Sequence, residues 1–427
     1  MNPIIAVTTL LLGIAVILAG NGLLGTLLGV RGELEGFSSS TLGLIMSGYF
    51  AGFVAGTFFV PRWVRLFGHI RVFAALASLA SITTLLHGLL VVPWFWLILR
   101  ALAGAYIVGI YVVIESWLNE RTDNAHRGQV FSAYMTTTLI GLGIGQLLLL
   151  AGPIDSLQLF ALASVLLSAG LIPVVLTRVK EPVLTESTRL SVRELYAISP
   201  LGVVTCAFAG VGSGAFWGLA PVFAAGIGLS AGGIAAFMSL TILGGIMMMW
   251  PVGLLSDHFE RRKVLLAVCA MTTLTPLAAW ALMAGGLSWL LLGGWLYGAF
   301  AFSIYALATA HTNDHVSPEQ MLEVSSSMQL LWGTGAILGP VVAGVLMQAL
   351  GPAALLPFIS AAALIPALFA LYRMQVSAPI AADDQGAFVP QFATSPVALE
   401  MHPEQPDEDE DKDPITEANS APPTPRP

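Results

Sequence analysis

Cysteine and charge are both scarce in this chain. Its 427 residues contain two cysteines, Cys206 and Cys269, each inside an apolar run. Two isolated thiols provide neither a disulfide framework nor the spacing of a metal site, so we expect both to be inert and buried. Charged residues make up 10% of the chain, whereas soluble domains carry about 25%. Because 56% of the residues are hydrophobic, the composition predicts an integral membrane protein.

Recognisable catalytic patterns are also missing. No glycine-rich loop with Gly-Lys-Ser or Gly-Lys-Thr occurs, so ATP does not power the protein through such a loop. The serine, histidine and aspartate residues follow no triad order. The segment HTNDH offers metal-ligand types in His311, Asp314 and His315, but a surface loop is the favoured interpretation. We therefore expect no enzyme, no cofactor, no metal and no nucleic-acid partner.

The net charge of −8 is concentrated at one end. From Gln375 onward there are eleven acidic residues and two basic ones, whereas the preceding part holds 14 acidic and 15 basic residues. The body is near neutral, so the overall charge gives no information about a ligand. The end of the chain, 374–427, is rich in proline, alanine and acid, a composition that predicts a disordered tail.

Long apolar runs fill the rest of the chain. A helix needs about 20 apolar residues to cross the hydrocarbon core, and no run shows the alternation of a membrane β-strand. The first run lacks a basic start and continues into further apolar sequence, so we interpret it as a spanning helix. The sequence predicts an all-α integral membrane protein with two six-helix halves, 1–177 and 200–373, joined by a linker, 178–199. The twelve predicted spans are 5–30, 42–64, 70–92, 94–117, 129–151, 156–177, 200–224, 231–254, 263–284, 287–310, 324–349 and 352–373.

The basic residues lie on one side of these predicted spans. Twelve of them fall in the even-numbered connections, whereas the opposite connections hold only Arg31. The positive-inside rule then places both termini in the cytoplasm of a bacterial cell. The twelve are Arg62, Arg65, Arg71, Arg121, Arg127, Arg178, Lys180, Arg189, Arg193, Arg261, Arg262 and Lys263.

An internal repeat supports the two halves. A shift of 192 places Met46-Ser47 on Met238-Ser239 and Gly52 on Gly244. A shift of 194 places Ile110-Tyr111 on Ile304-Tyr305, and Gly141 and Gly145 on Gly335 and Gly339. Short matches arise by chance in apolar sequence, but a nearly constant offset across three helix pairs indicates pseudo-symmetry.

One short polar connection carries a recognisable signature. The stretch GLLSDHFERRKVL, 253–265, holds Gly253, Asp257, Arg261 and Arg262. It resembles the loop signature of the major facilitator superfamily, although Glu260 replaces the second glycine. The first-half copy, PRWVRLFGHIRVF, keeps Gly68 and Arg71 but has Arg65 at the position of the aspartate. The resemblance implies loops that gate the transport cycle; the alternative is that they only anchor the helix ends.

Further motifs narrow the resemblance. GHIRVF, IESWLNERT, HRGQVFS and HTNDH together resemble the YcaD-type bacterial branch of that superfamily, over roughly residues 1–373. The branch implies the fold of the superfamily and a transporter, but no substrate. A Gly-Pro in the fifth helix marks drug–proton antiporters of the superfamily, and here Gln146 stands in place of the proline.

Arg100 is the leading candidate for a binding residue. It follows Trp94 by six residues, which places it about 9 Å below the surface, where a guanidinium is costly without a partner. Arg100 and Gly104 also match the fourth-helix signature of the superfamily. Tyr111 falls on the same helix face as Arg100. The alternative is an arginine that reaches outward or holds a structural carboxylate.

Other polar and aromatic side chains complete the predicted cavity. Asn21 and Gln146 lie at a comparable depth, and each either coordinates a polar ligand or hydrogen-bonds between helices. Trp217 and Tyr305 lie in spans that line the central cavity of the superfamily, where they either stack on a substrate or pack helices. Glu115 is the only carboxylate well inside a predicted span. It either binds a proton or lines a gate, or it pairs with a loop cation such as Arg127.

These observations predict a secondary transporter that moves a small polar or anionic organic solute across the cytoplasmic membrane by alternating access. Its expected partners are the lipid bilayer and the solute, with the proton as a candidate coupling ion, and the protein is expected to be a monomer. Two alternatives stay open. One is efflux of drugs or metabolites by proton antiport, and the other is a transporter-like membrane sensor that transports nothing.

Overall fold

The computed structural model describes residues 3–122, 126–176, 189–317, 320–381 and 384–395. Within these ranges the structure is α-helical, with short 3-10 turns and no strand. The fifteen helices are α1 (Pro3–Leu34), α2 (Ser39–Phe67), α3 (His69–Leu89), α4 (Pro93–Arg121), α5 (Arg127–Leu147), α6 (Gln158–Ala169), α7 (Leu171–Leu176), α8 (Val192–Ile198), α9 (Pro200–Gly226), α10 (Ala231–His258), α11 (Arg261–Leu282), α12 (Leu287–Ala301), α13 (Ile304–Asn313), α14 (Met321–Leu350) and α15 (Leu355–Val376).

Twelve spans in the described ranges are long and apolar enough to cross a membrane, which confirms the predicted number and the all-α fold class. Two of them are interrupted. The sixth consists of α6 and α7, separated at Gly170, and the tenth consists of α12 and α13, separated at Phe302 and Ser303. Several helices extend a few residues beyond the predicted runs, because a helix continues past the hydrocarbon core into the polar interface.

The beginnings of matching helices show the internal repeat. Ser38 caps α2 by accepting a hydrogen bond from the backbone of Thr41, and Ser230 caps α10 in the same way from Gly233. A serine oxygen at this position satisfies a backbone N–H that the helix leaves unpaired. These two serines are 192 residues apart, the same offset as in the sequence repeat.

The same close helix contact also occurs in each half. A Cβ on Gly52 would lie 1.7 Å from the Ala101 carbonyl oxygen, and one on Gly104 would lie 1.9 Å from that of Tyr49. In the second half, a Cβ on Gly244 would lie 2.1 Å from the Trp295 oxygen, and one on Gly298 would lie 1.9 Å from that of Thr241. The backbones of α2 and α4, and of α10 and α12, therefore touch at equivalent points. The fold consists of two pseudo-symmetric six-helix halves.

The two membrane faces of the molecule differ. The linker face comprises residues 62–71, 118–122, 126–127, 189–199, 256–263, 313–317, 320–321, 376–381 and 384–395. The far face comprises residues 31–41, 89–94, 148–157, 226–231, 283–287 and 350–353. Toward the far face α2 packs closely on α14: a Cβ on Gly43 would lie 2.2 Å from the Pro340 carbonyl oxygen, and Ser40 Oγ donates to Gln348 Oε1. Ser47 Oγ donates to the Ile337 carbonyl over 2.6 Å. These contacts join the halves on the far-face side of the molecule.

The linker face carries two segments outside the spans. Residues 189–190 bridge the halves, because the Arg189 guanidinium lies over the Phe58 ring and the Leu190 N–H donates to Ser327 Oγ. Residues 178–188 of the predicted linker lie outside the described residues.

The second segment belongs to the predicted disordered tail. Residues 382–383 and 396–427 of that tail lie outside the described residues, but residues 384–395 are packed against the body, with Phe388 and Val389 each 8% exposed. The structure differs there from the prediction, because the acidic and proline-rich average conceals the short apolar stretch 387–393.

Candidate functional site

A cavity lies between the two halves and has a volume of about 170 Å³. Every one of the six residues predicted to surround a binding cavity lines it, and these come from both halves. No aspartate or glutamate is among the described residues of its lining. The six are Asn21, Arg100, Tyr111, Gln146, Trp217 and Tyr305.

Arg100 is the only cationic residue among the described residues of the lining. Its side chain is 6% exposed, and its guanidinium carbon lies 4.4 Å from the centre of the Tyr49 ring. No ion pair or hydrogen bond joins it to another described residue, and its Nε is buried without a partner. A guanidinium stacked on an aromatic ring keeps its edge donors for other groups. Arg100 therefore presents a desolvated positive charge to the cavity.

The polar residues near Arg100 differ in how many hydrogen bonds they already make within the protein. Gln146 accepts a hydrogen bond from Thr26 Oγ1 and donates to the carbonyls of Gly22 and Leu142 at 3.3 and 3.1 Å. Its amide thus joins α5 to α1. Of the two roles considered for Gln146 from sequence, this is the hydrogen bond between helices. Asn21 and Tyr111 line the cavity as well, and Tyr111 packs edge-on against Phe53 with ring centres 6.4 Å apart.

Aromatic rings form the second-half wall. Trp217 stacks on Phe302 at 5.5 Å, directly where the tenth span is interrupted. Tyr305 packs against Trp332 with ring centres 6.2 Å apart. Both predicted aromatics thus pack against neighbouring helices and also face the cavity. An apolar aromatic wall opposite a single cation is a common composition for a small-molecule site.

Glu115 lies beyond the cavity toward the linker face and is completely buried. Tyr134 donates its hydroxyl to Glu115 Oε1 over 2.7 Å, and Ser395 Oγ donates to Oε2. A buried carboxylate needs such donors to compensate for lost hydration. One of the two comes from the segment that follows the twelfth span.

The α10–α11 loop is held by an ionic cluster. Arg261, 1% exposed, forms a 2.5 Å ion pair with Asp314 and lies 3.7 Å from Asp257. Burial raises the pKa of the Asp314 carboxyl, although Arg261 opposes this effect.

A second ion pair lies beside this cluster. Arg262 pairs with Glu260 at 2.6 Å. Burial opposes the charge of Glu260, but hydrogen bonds from Lys263 and Arg262 hold its pKa below the usual value.

The first-half loop is built differently. Gly68 connects α2 directly to α3 and has a φ of +85°, a conformation that suits glycine because it lacks a Cβ. Arg65 and Arg71 are exposed at this turn. Gly253, the glycine of the other signature, instead lies inside α10, where a Cβ would lie 2.5 Å from the Phe388 ring. The two signatures therefore occupy equivalent places but make different contacts.

The HTNDH segment does not form a metal site in the described part of the chain, where no three metal-ligating side chains cluster. Asp314 pairs with Arg261, and His315 Nδ1 lies 2.8 Å from the carbonyl oxygen of His311. Asn313 and His311 are buried at the end of α13. The segment is part of the ionic cluster rather than a free surface loop.

Comparison with known proteins decides the family. The sequence profile of the Major Facilitator Superfamily matches residues 10–205 and again 201–398. The chain belongs to this superfamily.

Within the superfamily, the chain is 27% identical over 352 residues to the uncharacterised MFS-type transporter YcaD of Escherichia fergusonii, covering 80% of this chain and 89% of that protein. This likeness confirms the YcaD-type branch and supports a multi-pass protein of the bacterial inner membrane. The nucleoside transporter NupG has a similar fold, with a TM-score of 0.68 and 15% identity over 88% of this chain and 100% of that chain. The human organic anion transporter MFSD10 (TETRAN) gives a TM-score of 0.57 and 16% identity over 87% and 100%.

Sequence reasoning did not identify two parts of the cavity. One is Tyr49, whose ring lies beneath Arg100. Nothing in the sequence shows which residue of α2 faces Arg100 on α4. The other is the stretch 392–394, which lines the cavity. Phe388 and Phe392 are two aromatic residues in an otherwise proline- and acid-rich tail, and this local contrast is the signal that was available.

Proposed function

We propose that the protein is a secondary transporter that moves a small polar or anionic organic solute across the membrane by alternating access. The observation that carries the proposal is Arg100, a buried guanidinium that faces a cavity shared by the two halves and pairs with no described carboxylate. Membership of a transporter superfamily supports the class of function. The solute and the mechanism are the proposed part.

The energetics of Arg100 favour an anionic group in the ligand. Removing a guanidinium from water costs several kcal/mol unless a partner or a wet cavity compensates. A carboxylate or phosphate group of a solute supplies that compensation, because the planar guanidinium donates two parallel hydrogen bonds to such groups. A permanently cationic ligand finds no carboxylate among the described residues of the cavity lining, so it is disfavoured.

The arrangement of the halves supports alternating access. In each half, equivalent glycines bring helix backbones into close contact, so each half packs as one unit. The halves meet through α2 and α14 on the far-face side, with the cavity between them. If the linker face is cytoplasmic, as the basic residues predict, this arrangement is closed to the outside. Two such units exchange access by rocking about the shared site.

The source of energy is either a proton gradient or the gradient of the solute itself. Glu115 is the candidate for proton coupling, because it is a buried carboxylate one helical turn from Tyr111, which lines the cavity. Tyr134 donates a hydrogen bond to it. MFSD10 is named as an organic anion transporter and NupG as a nucleoside transporter. At their level of identity these proteins share the fold, so the proposed solute class depends on Arg100 alone.

Thermal unfolding of the purified protein with a library of carboxylates, phosphates and lipophilic cations tests the proposal. A ligand at 100 times its Kd stabilises the folded state by about 2.7 kcal/mol. We expect anionic compounds to raise the Tm of the natural protein and of the control Arg62→Ala, whose arginine is exposed and bonded within its own helix. The same compounds should leave the Tm of Arg100→Ala unchanged.

The opposite outcomes are equally clear. Stabilisation by lipophilic cations alone would favour the drug exporter, and a full Tm shift in Arg100→Ala would remove this residue from the site. A compound that stabilises the protein is then loaded into proteoliposomes for a flux measurement. Binding without flux would favour the membrane sensor over the transporter.

A further inference from the structure

The segment 384–395, which follows the twelfth span, is packed between the halves at the linker face. We propose that this segment is a plug: it binds in the mouth of the central cavity, blocks access from the linker face, and has to leave before a solute passes on that side. The binding site is the mouth itself, and its occupant is the protein's own chain.

The first part of the plug binds the ionic cluster of the α10–α11 loop through its backbone. Arg261 Nη2 donates to the Gly386 carbonyl over 2.6 Å, and the Gly386 N–H donates to Asp314 Oδ1 over 3.1 Å. The Phe388 N–H donates to Asp257 Oδ1 over 2.8 Å. Hydrogen bonds to charged groups are stronger than those between neutral groups. Residues of the loop signature therefore hold the plug.

The middle of the plug joins the two halves through apolar contacts. Phe388 belongs to the apolar cluster of the second half and packs against Gly253, where a Cβ would lie 2.5 Å from its ring. Val389, the next residue, belongs to the apolar cluster of the first half. Phe392 packs edge-on against Phe302 with ring centres 6.2 Å apart. Consecutive residues of one short segment thus contact both moving units.

The end of the plug reaches the functional groups. Phe392, Ala393 and Thr394 line the same cavity as Arg100, and Ser395 Oγ donates to the buried carboxylate of Glu115. With these residues in place the cavity measures about 170 Å³. Ligand pockets usually measure about 300–1,000 Å³, so the remaining space is small for an organic solute. The plug occupies part of the volume that a solute would use.

A reporter cysteine measures whether the plug closes the mouth. Ser213 lines the cavity from α9, and Ser213→Cys introduces a thiol there, while Cys206 and Cys269 are fully buried. The full chain is reconstituted in nanodiscs and treated with a bulky, water-soluble maleimide. We expect Phe388→Ala to accelerate labelling by about tenfold or more, because the seated state loses the burial of one large aromatic side chain. The control Phe259→Ala removes a 58% exposed phenylalanine on the same face and should not change the rate.

Two truncations sharpen the test. A chain ending after residue 383 lacks the plug and should label at least as fast as Phe388→Ala. A chain ending after residue 395 keeps the plug but lacks the acidic end, and should label at the rate of the full chain. A synthetic peptide of residues 384–395 should slow the labelling of the shorter chain. Equal rates in the full chain, in Phe388→Ala and in the shorter chain would overturn the proposal.

The labelling needs no solute, so it is independent of the proposed function. If anionic compounds fail to bind, the proposed solute class is wrong, but the plug proposal still stands. If the labelling rates are unchanged, the plug proposal is wrong, but the proposed solute class still stands. If the shorter chain unfolds, Phe388→Ala in the full chain still gives the answer, with thermal unfolding as the check on its fold.

Discussion

At the scale of single residues, two buried charges near the centre of the molecule are compensated in different ways. Arg100 lies over the Tyr49 ring and has no anionic partner among the described residues. Glu115 accepts hydrogen bonds from Tyr134 and Ser395. A charge whose donors come from the protein contributes to the fold, whereas a charge without a partner is available to a ligand. This contrast is why we assign binding to Arg100 and keep Glu115 for coupling.

We expect Tyr134→Phe to destabilise the folded protein by about 1–3 kcal/mol, because Glu115 Oε1 loses a donor in a buried place. Thermal or denaturant unfolding in detergent measures the change. Tyr372→Phe is the matched control, since Tyr372 is 56% exposed and should tolerate the same loss of a hydroxyl. Equal stability of the two variants would show that the hydrogen bond to Glu115 contributes nothing to the fold.

At the scale of elements, close contacts between helices depend on glycine. Gly52 and Gly104 bring α2 and α4 together, and Gly244 and Gly298 do the same for α10 and α12. In a bilayer such contacts replace the hydrophobic effect as the source of helix association, because the lipid is as apolar as the side chains. The repeat of these glycines at a nearly constant offset therefore has a physical reason in packing.

We expect Gly52→Ala to destabilise the protein by about 1–3 kcal/mol or more, because the new methyl group would overlap the Ala101 carbonyl and force the helices apart. Gly244→Ala should have a similar effect in the other half. Gly212→Ala is the control: the nearest atom to its Cβ would be 3.8 Å away, so the change should be neutral or stabilising by up to about 1 kcal/mol. Unfolding of the three variants under one condition gives the comparison, and equal stability of all three would contradict the packing argument.

The spans could be predicted from sequence, but their local interruptions could not. A run of about 20 apolar residues determines that a segment crosses the bilayer, whatever its local backbone does. The interruptions at Gly170 and at Phe302 and Ser303 leave the hydropathy unchanged, so they are invisible to that criterion. Within α4, helical spacing predicts that Arg100 and Tyr111 face one side, and both line the cavity. Their role in binding stays a prediction.

The partners of the candidate site on other elements were the part that sequence could not predict. The position of Tyr49 beneath Arg100 depends on how α2 and α4 are placed along each other. The position of Phe388 against Gly253 depends on how the tail packs on a helix that lies more than 100 residues earlier in the chain. Both are long-range properties of packing, whereas composition and periodicity report on local sequence. For the tail, the average composition concealed the apolar stretch 387–393, and local sequence could not show the site on which that stretch packs.

At the scale of the whole molecule, the halves are closed toward the far face. Gly43 approaches the Pro340 carbonyl, a Cβ on Gly344 would lie 2.6 Å from that of Ser39, and Ser40 bonds to Gln348. These residues lie on α2 and α14, which belong to different halves. Alternating access requires this interface to separate during each cycle.

We expect transport to stop when this interface is tethered. Ser40→Cys and Gln348→Cys in one chain should react with a short bismaleimide, because the natural side chains are in contact. Flux of the solute found by thermal unfolding should then fall to the rate of empty vesicles. N-ethylmaleimide on the same double variant is the control, since it modifies both thiols without joining them. Normal flux in the tethered protein would contradict separation of α2 and α14 during transport.

The contacts at the two faces also differ in the forces that hold them. The far face is closed by glycine, proline and uncharged side chains, whose packing is indifferent to ionic strength. The plug at the linker face is held by hydrogen bonds between its backbone and the charged side chains of Arg261, Asp257 and Asp314, and the strength of these bonds depends on the side chains keeping their charge. If the linker face is cytoplasmic, the closure that meets the changing medium is the one that does not depend on charged groups. The closure that does depend on them meets the cytosol, whose composition the cell itself controls.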